Sequence, residues 1–384
     1  MAKNNQTPKI RFKGFNDPWE QRKLNTLVFI NSGKDYKKLS EGLIPVYGTG
    51  GYMLSVNKAL SYKDAIGIGR KGTIDKPFIL KAPFWTVDTL FYAVPMNSKC
   101  LSFIYDVFQT IDWKKKDEST GVPSLSKEAI NNTDVLIPKA EEQLIIGKFH
   151  SHIDAIITLH QRKLEKIQNF KKAMLEKMFP KNGESIPKIR FSGFTSPWEQ
   201  RKLGTFLLQR IEHQTITQNE PLLAFSYAEG VINPENKKSN KRDFIMTDKF
   251  NKVFSKTELN DIIYNPANVI HGAIHRNKLG IGVVSPIYKI FKCINIDPQF
   301  IGERLHTDSF IFEIQKYIEG TVIKLRTLSP EQFLGMSIKT PKSAIEQHQI
   351  GETLEKINTL ITLHQRKLEK LQNIKKSMLE KMFV

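Results

Sequence analysis

The apolar positions of this chain follow two rhythms. Along one stretch a seam recurs at Ile146, Ile153, Ile157, His160, Leu164, Ile167, Met174 and Met178. Along another it recurs at Ile350, Leu354, Ile357, Ile361, His364, Leu368, Leu371, Met378 and Met382. The steps alternate mostly between three and four residues, the heptad spacing of a helix that buries one stripe against a partner helix. Lys171 and Lys375 interrupt the seams at equivalent places. Pro138 and Pro341 stand just ahead of the two stretches and Pro180 closes the first, as prolines do at helix boundaries. Each predicted helix runs to about 40 residues, roughly 55–60 Å at 1.5 Å per residue, longer than an ordinary globular helix. A domain of roughly 140 residues is too small to cover such a rod, so the two helices are predicted to pair with each other. An antiparallel pair with a pseudo-two-fold axis is favoured, because a parallel pair needs both flanking domains at the same end.

The second rhythm is shorter. Ala65–Ile68, Thr89–Val94 and Gly282–Phe291 are runs rich in β-branched and aromatic residues, bounded by Gly or Pro, and predict strands. The chain therefore reads as a mixed α/β (α+β) protein in four segments. These are a globular domain over 1–140, a helix over 141–180, a second globular domain over 187–344 and a helix over 345–384. The polar segment Lys181–Ile186 links the two halves.

Parts of the chain repeat. PKIRFKGFNDPWEQRKLNTL from Pro8 returns as PKIRFSGFTSPWEQRKLGTF from Pro187, with 15 of 20 positions identical. The stretch Ile157–Phe179 returns as Ile361–Phe383, with 20 of 23 identical. Between these blocks the two halves are nearly unrelated. Even polar helix positions match, such as Gln161/Gln365, Arg162/Arg366 and Glu165/Glu369, and a shared core alone would leave those free to differ. The pattern implies one surface used twice for a repeated partner, joined to two domains that recognise different things. Gln161, Arg162, Lys163 and Lys166, with Gln365, Arg366, Lys367 and Lys370, are the candidate docking residues.

Charge sharpens the picture. A net charge of +19 and a pI near 9.6 point to a polyanionic partner, nucleic acid first. The basic residues are spread along the whole chain, which disfavours a membrane surface. Cys100 and Cys293 are too few for a disulfide framework or a zinc site and suit a reducing cytosol. The opening MAKNNQTPKIRF lacks the apolar core of a signal peptide. No apolar run of about 18 residues is present, so no membrane span is expected.

Catalytic signatures are missing: there is no GxxxxGK[ST] phosphate loop and no [DNS]PP[YFW] tetrapeptide of an amino-methyltransferase. A binding module is expected rather than an enzyme. In the first domain the candidate DNA contacts are Arg70, Lys71 and Thr73 in GIGRKGTIDKP, and Lys114, Lys115, Lys116, Thr120 and Ser124 in the turn-rich loop that follows Asp112. Arg70 suits either a phosphate or a guanine edge. In the second domain the candidates are Lys237, Lys238, Lys241 and Arg242, then His275, Arg276 and Asn277 in HGAIHRNKLGIG, then Lys324 and Arg326. The HGAIHRNKLGIG segment parallels the Arg70 region in character, and Arg276 and Asn277 could read guanine and adenine edges. His271 and His275 lie four apart, but the flanking glycines and the lack of a third ligand argue against a metal site. Gly48-Thr49-Gly50-Gly51 reads as a loop that lets backbone approach something closely.

Taken together, these features resemble the specificity subunit of type I restriction-modification systems. The resemblance rests on the alternation of variable domain and long helix and on the duplicated PWEQRKL blocks at Pro18 and Pro197. It rests also on the helix starts Pro138…Glu142-Gln143…Ile146 and Pro341…Glu346-Gln347…Ile350. The resemblance implies that 1–140 and 187–344 are target recognition domains, each reading one half of an asymmetric bipartite site in double-stranded DNA. It implies that the antiparallel coiled-coil helices act as a ruler. Half-sites roughly 34 Å apart lie within the helix length. It further implies two modification subunits carrying S-adenosylmethionine, which methylate adenine, and two motor-nuclease subunits using ATP and Mg. No cofactor would be bound by this chain, and the location would be cytoplasmic. A stand-alone DNA-binding protein, an adhesin-like stalk and a fused catalytic chain are weaker readings. They leave unexplained, respectively, the matched helix surfaces, the charge and cysteine usage, and the missing catalytic motifs.

Overall fold

The computed structural model describes residues 7–96, 100–181, 183–236, 252–318 and 327–384. The chain divides into two compact units, one built from Met1–Arg162 with Gln365–Val384, the other from Lys163–His364. The long helices are Ala140–Met178 and Ala344–Met382.

The first unit holds a four-stranded antiparallel sheet in the spatial order Val28–Ser32, Leu90–Pro95, Ala65–Gly69, Phe78–Leu80. Ala65–Gly69 is buried at every position, which is why its sequence is a continuous apolar run rather than an alternating one. A three-stranded sheet, Gly51–Val56, Glu41–Gly48 and Trp85–Thr86, stands beside it. Glu20–Lys23 pairs with Asp134–Ile137. The core gathers Trp19, Leu24, Phe103, Phe108, Trp113 and Ile146. Met382, from the end of the second long helix, is buried in the same core, with Met378 and Phe383 packed against it.

The second unit repeats the four-stranded order with other residues, while its three-stranded sheet is antiparallel throughout. Its four-stranded sheet runs Leu207–Gln209, Lys289–Cys293, Ile262–Tyr264, Ile274–Arg276. Its three-stranded sheet is His213–Gln214, Phe254–Thr257, Gly282–Val284. Glu199–Lys202 pairs with Ser337–Thr340. The run Gly282–Phe291, predicted as one strand, is two. Pro286 has no N–H to give a ladder, and the chain turns there, with the Tyr288 N–H donating to the Ser285 carbonyl at 3.2 Å. An aromatic cluster of Phe179, Trp198 and Phe300 sits with Ile350, Leu354 and Ile357.

The repeated blocks build the same frame in each unit. Arg11 donates two hydrogen bonds to Glu142, at 2.7 and 2.8 Å. Arg190 does the same to Glu346, at 2.7 and 2.9 Å. The Gln143 amide donates to the Pro138 carbonyl at 2.8 Å and that of Gln347 to the Pro341 carbonyl at 3.0 Å. The Glu-Gln pair at each helix start thus ties the helix to the PKIRF block and to its own leading proline. The Ile10 N–H donates to the Lys381 carbonyl, and the Ile189 N–H to the Lys177 carbonyl, both at 2.9 Å. Each opening block therefore caps the C-terminal end of a long helix, where carbonyls lack helical partners.

The seam positions are all buried or half-buried, and around Leu164, Ile167, Leu368 and Leu371 the residues on either side are exposed. In the first unit Ile146 and Ile153 belong to the N-terminal part of one helix, and Met378 and Met382 come from the C-terminal part of the other. In the second unit Met174 and Met178 join Ile350, Leu354 and Ile357. The interrupting lysines are paired rather than free. Lys375 meets Asp154 at 2.6 Å and lies 5.4 Å from the Tyr105 ring centroid. Lys171 meets Glu303 at 3.3 Å. Gly147 and Gly351 let a shorter helix press onto each long one, since a Cβ would come 2.7 Å from the Phe103 nitrogen and 2.6 Å from that of Phe300.

Candidate nucleic-acid interface

In the first unit the structure brings the two predicted basic segments together. The loop after Ala65–Gly69 carries Arg70, Lys71 and Thr73. The Gly72 N–H donates to the Pro123 carbonyl at 2.8 Å and the Leu125 N–H to the Arg70 carbonyl at 2.9 Å. Lys71 and Ser124 form a β-bridge. Lys114 reaches Asp75 at 2.9 Å, but both groups are solvent-accessible, so the pair is weak and the ammonium stays available to a phosphate. Asp117 organises the second loop by accepting from the Ser119 N–H, the Ser119 hydroxyl and the Ser124 N–H at 2.8–3.0 Å. Those bonds, the Ser124 N–H foremost, hold its carboxyl below the usual range. Arg70, Lys71, Lys114, Lys115, Lys116 and Thr120 are exposed; Thr73 and Ser124 are half-buried. The Arg70 guanidinium lies 5.8 Å from the Phe91 ring centroid, which restrains its direction. The Gly48–Gly51 turn borders this loop, with the Thr49 hydroxyl 3.9 Å from where a Cβ on Gly72 would lie. Together these segments form one cationic, donor-rich ledge at one end of the sheet.

The second unit departs from the sequence reading. Lys237, Lys238, Lys241, Arg242, Lys324 and Arg326 lie outside the described residues. Asn277 is fully buried. Its amide donates to the Thr257 hydroxyl at 3.0 Å and to the Gly280 carbonyl at 2.7 Å, while its side-chain oxygen accepts from the Leu279 and Gly280 N–H groups. With its hydrogen-bonding capacity spent on building a turn, Asn277 cannot also face a base. Arg276 is likewise engaged, donating to Asn260 at 2.6 Å and to Glu355 at 2.9 Å, with its side chain only 9% exposed. Lys278 joins it on Glu355 at 2.8 Å. His275 donates through Nε2 to the Tyr227 carbonyl at 2.8 Å, and its Nδ1 faces His306 Nε2 at 2.9 Å. Burial lowers the pKa of His275 and pushes that of His306 down to about 3, so the pair is neutral. Both ring nitrogens of His275 are committed, which removes it as a metal ligand beside His271. Asn277 is therefore corrected from a DNA contact to an interior residue, and the half-buried His275 and Arg276 from DNA contacts to residues whose polar groups are engaged within the fold.

Topology explains the error. The four-stranded sheets match strand for strand, so the counterpart of the Arg70 loop is the segment joining Ile262–Tyr264 to Ile274–Arg276, residues 265–273. The segment after Arg276 leaves from the opposite end of that strand. In composition the two stretches look alike; only strand order separates them.

The candidate docking residues Gln161, Arg162, Lys163, Lys166, Gln365, Arg366, Lys367 and Lys370 are all exposed. Apolar side chains lie exposed among them at matching places, Ile156 and Leu159 on the first helix, Leu360 and Leu363 on the second. The strands Glu20–Lys23 and Glu199–Lys202 are also identical and exposed throughout. Among the described residues, no helix is long and apolar enough to cross a membrane.

Comparison with known proteins gives a consistent picture. Residues 16–169 match the family model of the type I restriction modification DNA specificity domain. A type I restriction enzyme MjaVIII specificity subunit from Methanocaldococcus jannaschii is 23% identical over 348 residues, covering 82% of this chain and 74% of that one. The crystal structure of a type I restriction-modification S subunit from M. genitalium shares the fold, with a TM-score of 0.73 at 14% identity, covering 98% of this chain and 99% of that one.

Proposed function

We propose that this chain, a member of the type I restriction-modification specificity family, reads an asymmetric bipartite DNA sequence, one half with each unit. The observation that carries the proposal is the contrast inside the molecule. The Arg11–Glu142 and Arg190–Glu346 frames are near copies. The loops held at the same end of the two matching sheets differ completely, Arg70-Lys71-Gly72-Thr73 in one and Asn265–Gly272 in the other. A conserved frame carrying unlike loops suits a partner with repeated protein parts and two different base sequences.

The two long helices act as an antiparallel coiled-coil spacer that fixes the gap between half-sites. Support comes from the seam packing, in which each unit combines the start of one helix with the end of the other. The duplicated exposed positions, Gln161 to Lys166 and Gln365 to Lys370, dock two modification subunits. Those subunits supply S-adenosylmethionine and transfer its methyl group to adenine N6, while two motor-nuclease subunits using ATP and Mg complete the cytoplasmic complex. This chain contributes recognition and spacing, not a reacting group. Its net charge of +19 supplies non-specific attraction to phosphate.

The test is adenine-methylation mapping by long-read sequencing in cells with and without this chain, expressed with its modification subunit. The expected result is a methylated motif of two short half-sites around a fixed gap, lost on deletion. An unchanged map, with an active modification subunit present, would favour a stand-alone DNA-binding protein. Within that assay Arg70→Ala distinguishes the two roles open to Arg70. Relaxation of one half of the motif marks base reading, and uniform loss marks a phosphate contact.

A further inference from the structure

We infer that the loop Asn265–Gly272 reads bases of the second unit's half-site, with Asn268 and His271 as the contacting side chains. The inference rests on the DNA-reading function proposed above and names the residues that perform it in this unit.

The first support is register. In the first unit the Leu125 N–H donates to the Arg70 carbonyl at 2.9 Å. In the second the Leu328 N–H donates to the Pro266 carbonyl at 3.3 Å. Each leucine is followed by a serine that caps a short helix, Ser126 accepting from the Ala129 N–H and Ser329 from the Gln332 N–H. Arg70 and Pro266 therefore occupy the same place relative to sheet and cap, and the residues after Pro266 face where those after Arg70 face.

The second support is the state of the side chains. Asn268 and His271 are exposed. Among the described residues neither side chain has a hydrogen-bond partner. Their backbone, by contrast, is fixed. The Asn265 side chain accepts from the Ala267 N–H at 3.0 Å, and the Asn268 N–H donates to the Asn265 carbonyl at 3.1 Å. Val269–His271 forms a 3-10 turn closed by Gly272 at φ 94°, and the buried Val269 anchors it. The Tyr227 hydroxyl donates to the His271 carbonyl. Free polar side chains on a rigid backbone lose little entropy on binding, which suits a recognition element.

The third support is chemistry. A carboxamide pairs a donor with an acceptor in the geometry of the adenine N6/N7 edge, and an imidazole offers one of each to a neighbouring base. A cleft of about 470 Å³ opens beside the loop, bordered by the exposed rings of Tyr227 and Phe312, and leaves room for a groove edge. The loop Asn265–Gly272 carries no lysine or arginine. It is thus built to discriminate rather than to neutralise phosphate.

The experiment is the same methylation map, made with the full chain and its modification subunit, for Asn268→Ala, Asn268→Asp and His271→Ala, with thermal melting to verify folding. Each substitution is expected to make one half of the motif degenerate at one or two positions, raising methylation of near-cognate sites about tenfold to a hundredfold, while the other half stays unchanged. Asn268→Asp, which keeps shape but removes the donor, should alter the preferred base at the same position. Unchanged motifs in all three variants overturn the inference. So does uniform loss at every site in folded protein, since that marks a positioning contact. If Arg70→Ala alters one half and these three alter nothing, the functional proposal survives without this assignment. If wild-type chain yields no bipartite motif, both fall.

Discussion

Arg11→Ala tests the frame on which both units are built. Glu142 is 1% exposed and its two oxygens accept from Arg11 at 2.7 and 2.8 Å. Among the described residues it has no other hydrogen-bond donor. Removing the guanidinium leaves a buried carboxylate without a partner, a loss of about 3–5 kcal/mol. The equivalent change Arg190→Ala should cost less. Glu346 also accepts from the Trp198 indole N–H at 3.2 Å, and a hydrogen bond to a charged group retains about 1.5 kcal/mol of stabilisation. The expected order is therefore roughly 4 kcal/mol for Arg11→Ala and roughly 2.5 kcal/mol for Arg190→Ala. Arg11→Leu combined with Glu142→Leu should recover most of the loss, because an apolar pair carries no desolvation cost. The assay is urea titration read by hydrogen exchange in peptides from Glu20–Lys23 and Glu199–Lys202, which reports each unit separately. A cost below about 1 kcal/mol for Arg11→Ala would show that the pair behaves like a surface ion pair. Equal costs for the two substitutions would refute the role given to Trp198.

Three further outcomes follow from the geometry. Burial pushes the Asp106 carboxyl up to about 6, beside His150 at 3.0 Å. A carboxyl whose pKa rises on folding binds its proton first in the folded state, so its contribution is greatest below about pH 4 and is lost as pH rises through about 6. Asp106→Asn should therefore gain stability relative to wild type by roughly 2 kcal/mol between about pH 4.5 and pH 7 in chemical denaturation, and a flat difference would contradict this. Gly147→Ala and Gly351→Ala place a Cβ 2.7 and 2.6 Å from backbone nitrogens; each should lower stability by about 1–3 kcal/mol in thermal melting despite the better helix propensity of alanine. Lys163→Glu with Lys367→Glu, both at exposed positions, should abolish co-purification with the modification subunit while leaving the circular dichroism spectrum unchanged; retained assembly would place docking elsewhere.

The sequence by itself determined the elements whose cause is local or repeated. The helical seams at Ile146–Met178 and Ile350–Met382 were legible because burial of one stripe imposes a three-four rhythm, and the duplicated blocks pointed to a duplicated frame. Even the interrupting lysines were visible as exceptions, though their partners Asp154 and Glu303 were not, since Glu303 is 132 residues from Lys171 and Asp154 is 221 from Lys375. Three matters were decided only by the tertiary structure. Arg276 and Asn277 look like base readers in the one-dimensional string, yet Glu355 and Thr257 absorb them; whether a polar side chain is free depends on residues that chain contacts bring from far away. Strand order, set by pairing between distant segments, makes the Asn265–Gly272 loop rather than the segment after Arg276 the counterpart of the Arg70 loop. And the glycines Gly147 and Gly351 gained their meaning only when another helix was found packed against them. Periodicity records which side of an element is buried, but the identity of the neighbour on that side exists only once the chain has folded.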